Sequence, residues 1–154
     1  MKKFLRNLVL NVDGPTCTYC NCIKPCSNLE MDHVLPAWYL KQELKGGKIL
    51  FAGLNDPHNI YRCCSDLNRK KGPFMLDVKF TGNEITGLMA RSYLYMNWKY
   101  NILFDEDTLK FLNTMTIINP PFKFEYERSR QIREVTGKKN IFVEDYPKTL
   151  HRYH

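Results

Sequence analysis

Met31-Asp32-His33-Val34-Leu35-Pro36-Ala37-Trp38 is the stretch on which the reading of this chain turns, together with Asn68, 35 residues after His33. Leu29 to Val34 is expected to be a short strand that delivers His33, and Asn59 to Cys63 a second strand. Ser65 is a suitable N-cap, with Asn68 in the first turn of the helix it opens. Strand, long loop, strand, helix is a ββα unit. Such a unit brings the end of a strand against the first turn of the helix, so side-chain oxygens of Asp32 and Asn68 are expected on one cation. Two protein oxygens leave room for water and phosphate, which suits Mg²⁺, with Mn²⁺ or Ca²⁺ as substitutes. His33 points to the other side of the strand, and its neutral imidazole can take a proton from water. Asn59 is expected to hold the loop so that His33 keeps its tautomer. These groups together point to metal-assisted phosphodiester hydrolysis.

The chain has 154 residues, enough for one domain with a real core. Its 44% apolar and 25% charged content is that of a globular protein, and no apolar run is long enough to span a membrane. The net charge of +7 and a pI near 9.1 favour a polyanionic partner. Residues 1–13 imitate a signal peptide briefly, but Arg6 and Asn7 interrupt the apolar part and no small-residue cleavage site follows. A short amphipathic helix or strand is expected there, and a cytoplasmic or viral setting is favoured, with a secreted or periplasmic one as the alternative.

Gly14-Pro15 is a turn, and Cys17 to Glu30 is expected to be irregular structure tied down by cysteines. Pro36 to Leu44 is read as one or two helical turns ended by Gly46-Gly47, and Lys48 to Ala52 as a short apolar piece. Phe74 to Phe80 reads as a strand before the turn Thr81-Gly82-Asn83. Helices are expected over Thr86 to Tyr100, from a cap at Asp105 to about Ile117, and from the Asn119-Pro120-Pro121 break to Val135, stopping at Gly137. The tail from Asn140 is expected to be extended. Trp38 and the stripe of Tyr93, Tyr95 and Met96 are read as core. Arg62, Arg69, Lys70 and Lys71, with Lys41, Lys45 and Lys48 in the preceding loop, would bind phosphates without reading bases if they share a groove.

Asp-His-x-x-Pro, then His58-Asn59, then Asn68-x-x-Lys71-Gly72 is a specific order. On these residues the chain resembles the endonuclease I family, small nonspecific nucleases of the ββα-metal (His-Me finger) superfamily, to which HNH endonucleases also belong. Asp32 to Trp38 looks like that family's Glu-His-Val-Val-Pro-Ala-Trp segment. Ala90-Arg91-Ser92-Tyr93-Leu94-Tyr95-Met96 is similar to its Ala-Arg-Thr-Tyr-Leu-Tyr-Met helix. Arg130-Gln131 and Gly137-Lys138-Lys139-Asn140-Ile141-Phe142 resemble its closing helix and Gly-Asn-x-Pro-Phe turn. The resemblance implies an α+β fold: a ββα-metal core over about 29–72 and a helical C-terminal half over about 86–137, in one nuclease domain. It implies Asp32 and Asn68 as magnesium ligands, His33 as the base, and cleavage of DNA or RNA to 5′-phosphate ends by a monomer. Lys48 stands where some members carry an Arg on the scissile phosphate; a Lys cannot grip in bidentate fashion. Asp32 is one methylene shorter than the family's Glu, and Asn68-Arg69-Lys70-Lys71-Gly72 looks more like an HNH ending.

Many HNH proteins place two Cys-x-x-Cys knuckles around a structural zinc. Here Cys17-x-x-Cys20 and Cys64 match, but position 67 is Leu, so a fourth ligand would come from Cys26, Cys22 or Cys63. Disulfides and free thiols are the alternatives. Two rival readings are a sequence- or structure-selective HNH endonuclease of a phage or virus, and a non-catalytic zinc-bound nucleic-acid module.

Overall fold

Leu29 to His33 and Ile60 to Cys64 pair as a two-stranded antiparallel sheet, in register from Leu29 opposite Cys64 to His33 opposite Ile60. The structure is a computed structural model and describes residues 3–14, 16–20, 28–72, 76 and 85–149. The chain divides into two compact units, Met1–Met75 and Leu76–His154. The expected strand over Phe74 to Phe80 apart from Leu76, its turn, Cys22, Cys26, and the tail histidines 151 and 154 lie outside the described residues.

The first unit runs α1 (Lys3–Asp13), β1 (Leu29–His33), α2 (Ala37–Leu44), α3 (Gly47–Leu54), a 3-10 turn (Pro57–Asn59), β2 (Ile60–Cys64) and α4 (Ser65–Lys71). The amphipathic N-terminal stretch is helical and buries Leu8 and Val9. Its C-terminal end is fixed to β2, because Asp13 Oδ2 accepts from Arg62 N and Gly14 O accepts from Arg62 Nη1. Lys45 closes α2 in the left-handed region, and Gly46 and Gly47 continue at φ 95° and 71°, where a Cβ would be strained. The chain thus reverses at once into α3, so the short apolar piece at 48–52 is the middle of a helix.

The helix after β2 starts one residue earlier than the Ser65 cap implied. Cys64 keeps extended dihedrals and is the N-cap, Ser65 is the first helical residue, and Asn68 sits just beyond the first turn. Trp38, expected in the core, is 46% exposed, packing edge-on against Tyr39.

In the second unit, α5 (Ile85–Tyr100) is buried on nearly every side, which is why its sequence shows so little polar face. Tyr93, Tyr95 and Met96 are core, as read. Gly87 allows the close approach of the chain at Asn119: a Cβ there would stand 2.4 Å from the Asn119 carbonyl oxygen. Asp105 caps α6 (Glu106–Ile118) by accepting from Thr108 N, which holds its carboxyl below the usual range. After Pro120-Pro121 comes α7 (Lys123–Thr136), closed by Gly137 at φ 73°. The tail is not simply extended: Asn140 accepts from Phe142 N and caps a short helix, α8 (Ile141–Glu144). Among the described residues, no helix is long and apolar enough to cross a membrane.

Candidate active site

Asn68 and Lys71 lie three apart on α4 and so share a helix face. Glu30 and Asp32 lie two apart on β1 and so share a strand face. The two faces meet. Asn68 Nδ2 donates to Glu30 Oε2 at 2.9 Å. Lys71 Nζ lies 3.0 Å from Asp32 Oδ1, 2.9 Å from Oδ2 and 3.1 Å from the His33 carbonyl oxygen. The Asp32 and Lys71 side chains are both over nine-tenths buried. Tyr19 adds a third partner, its hydroxyl donating to Asp32 Oδ2 at 2.7 Å. Burial, and then the Asp32 charge, push the Tyr19 phenol well above its ordinary pKa, so it serves as a neutral donor.

α4 thus meets β1 through Lys71 on Asp32 and through Asn68 on Glu30, so the amide nitrogen of Asn68 is paired with Glu30. Lys71, read as a phosphate ligand, is buried on Asp32. Sequence reasoning missed Glu30 and Tyr19. The alternation of β1 already put Glu30 on the face of Asp32; nothing in the sequence marked Tyr19.

His33 Nε2 lies 2.8 Å from the Leu54 carbonyl oxygen. A carbonyl can only accept, so in the neutral ring Nε2 carries the proton and Nδ1 the lone pair. Leu54 is the last residue of α3, where helix carbonyls have no partner within the helix, so this acceptor is a product of where the helix ends. Asn59 holds the chain just past His33, as expected, while the ring's own partner is Leu54. Its Oδ1 accepts from Leu35 N at 2.8 Å, its Nδ2 donates to Leu35 O at 3.0 Å, and its carbonyl accepts from Val34 N. It clamps the chain leaving β1, while Leu54 sets the tautomer.

Lys48 is exposed in the first turn of α3, about 9 Å of helix rise from Leu54. Arg62 is engaged with Gly14, as described. Arg69 packs back on Ser65 and faces Asp66 at 3.6 Å, and Lys70 is exposed.

The Cys17, Cys20 and Cys64 sulfurs lie within 4.8 Å of one another. Cys17 Sγ accepts from Cys20 N at 3.3 Å and Cys64 N at 3.1 Å. Cys17 and Cys63 are free thiols. The Cys20 and Cys64 sulfurs stand 3.3 Å apart, beyond the ~2.0 Å of an S–S bond. Burial first, then the nearby Asp32 and Cys17, push the Cys63 thiol up to about 12, which leaves it protonated and a poor ligand.

No family model matches the chain. It is similar to the protein named Endonuclease-1 of Buchnera aphidicola subsp. Acyrthosiphon pisum, 26% identical over 149 aligned positions, which cover 76% of this chain and 60% of that protein. It is also similar to the protein named Extracellular deoxyribonuclease of Aeromonas hydrophila, 24% identical over 151 positions, covering 77% and 66%. The chain thus spans about three-fifths to two-thirds of the length of these relatives. Two relatives of this kind, matched over most of the chain, support the resemblance to the endonuclease I family.

Proposed function

We propose that the chain is a metal-dependent endonuclease that hydrolyses phosphodiester bonds in DNA with little sequence preference, leaving 5′-phosphate ends. One observation carries the reading: a buried carboxylate already surrounds a cation, the Lys71 ammonium, next to an imidazole of fixed tautomer. The donors suit a hard divalent ion. Asp32 offers a carboxylate, Asn68 an amide oxygen turned away from its Glu30-bound nitrogen, and neither side chain carries sulfur. The names of both relatives support a nucleic-acid substrate.

Asp32 and Asn68 would hold Mg²⁺. Once bound, it would offset charge on the phosphate in flight and on the leaving sugar oxygen. His33 Nδ1 takes the proton of the attacking water, and the Leu54 carbonyl keeps the opposite nitrogen protonated and the ring in place. Asn59 keeps β1 from fraying beyond His33. Exposed Lys48, Arg69 and Lys70 supply diffuse attraction to phosphates, which fixes no base sequence. The name of one relative supports an extracellular setting, and the cytoplasmic or viral setting gains no support.

Supercoiled plasmid incubated with the protein is expected to be nicked, then linearised, then smeared with Mg²⁺, and to stay intact in EDTA. Discrete bands would favour the site-selective HNH reading. Binding without nicking under every divalent ion would favour a non-catalytic module and remove the enzyme.

The cysteine cluster supports a second cofactor. The amide N–H groups aimed at Cys17 Sγ stabilise a thiolate, the form a zinc ligand takes. In the reduced protein, Cys17, Cys20 and Cys64 would hold a structural Zn²⁺ with one further donor, Cys26 being the candidate. Protein prepared under reducing conditions is expected to carry about one zinc per chain, as a closed four-ligand site would. Zinc-free protein with all six cysteines reduced and an unchanged fold would end this assignment.

A further inference from the structure

The three oxygen atoms around Lys71 Nζ come from one strand end: both carboxylate oxygens of Asp32 and the carbonyl of His33, all within 3.1 Å. This is a small oxygen-lined cation pocket, and the chain fills it with its own ammonium. We infer that Lys71 is a placeholder for the divalent ion, expelled from Asp32 when the ion binds. The inference rests on the proposed role of Asp32.

The physical argument is one of exclusion. A divalent ion on Asp32 would sit at about the same 2–3 Å from the carboxylate as the ammonium does now. Two cations cannot share that position at close range in a buried site. The ammonium also offsets the burial of the Asp32 carboxyl group, since an unpaired buried carboxylate is costly. Tyr19 stays on Oδ2 in either state and keeps the carboxylate aimed.

Lys71 is built to leave. It is the last residue of α4, and Gly72 follows at φ 60°, so the pocket is filled from a helix end by a side chain with four rotatable bonds. Asn68, one turn earlier, keeps the helix facing β1 through Glu30. The expelled ammonium moves to where the substrate brings negative charge, so metal entry and phosphate binding favour each other. This reconciles the buried Lys71 with a phosphate-binding role.

The test uses the full chain without substrate. Binding of Mn²⁺, followed by electron paramagnetic resonance, is expected to tighten by at least about tenfold in Lys71→Met relative to wild type, since the competitor is gone. Lys71→Arg, which keeps the charge, should not tighten. In the wild-type protein, acetylation footprinting read by mass spectrometry is expected to find Lys71 protected in EDTA and modified at saturating Mn²⁺. That second readout needs no variant and is unaffected if Lys71→Met folds poorly. Metal that binds while Lys71 stays protected would overturn the placeholder alone. Absence of any Asp32-dependent metal binding, judged with Asp32→Asn, would overturn it together with the active site on which it rests.

Discussion

Replacing His33 by Ala is expected to lower plasmid cleavage by about 10²–10⁴-fold, the usual contribution of a positioned general base. The side chain is half-buried, and its recorded hydrogen bond goes to a main-chain carbonyl. Its removal should therefore leave the circular dichroism spectrum intact. DNA affinity, measured with Ca²⁺ or in EDTA, should also hold, because affinity comes from the basic residues. Imidazole added to the buffer should restore part of the rate, as a small base diffusing into the gap. A variant that cuts at the wild-type rate would remove His33 from the chemistry and leave Nδ1 without a role.

The second large effect is on stability and lies in the other unit. Arg91 on α5 donates from Nε and Nη2 to both oxygens of Glu125, at 2.8 and 2.6 Å, and from Nη1 to the Asn119 carbonyl at 2.6 Å. Both side chains are almost fully buried. Glu125 Oε1 also accepts from Phe122 N, so one ion pair ties α5 to the start of α7. Arg91→Met strands a buried carboxylate and a carbonyl, and is expected to cost about 3–5 kcal/mol in urea unfolding. The double replacement Arg91→Met with Glu125→Leu should recover most of that loss, because no charge is then left unpaired. A single-variant loss under about 1 kcal/mol would mean that the pair behaves like an exposed one.

Much of this was legible before any coordinates. Period-two and helical spacing carry information about faces, so both strands, the α5 core stripe and the stop at Gly137 could be read directly. Asp105 announced its helix because a short carboxylate at an N-cap has few other uses. The pairing inside the site was harder. A helix that begins one residue early turns each side chain by about 100°. Lys71 also looked like its neighbours Arg69 and Lys70, and only the tertiary meeting of α4 with β1 separates the buried cation from the exposed ones. The role of Leu54 was invisible for a different reason: what it contributes is common to every residue type, and only its location at the end of a helix matters. Asn140 reads as a cap in hindsight, but a four-residue helix has too few positions to show a period.

That last contribution has an evolutionary corollary. No side-chain exchange at position 54 can delete the acceptor that fixes the ring of His33. The residue at that position is therefore free to change, provided the returning helix terminates at the same place. What selection would guard here is an endpoint in space, and a search for invariant letters would pass over it.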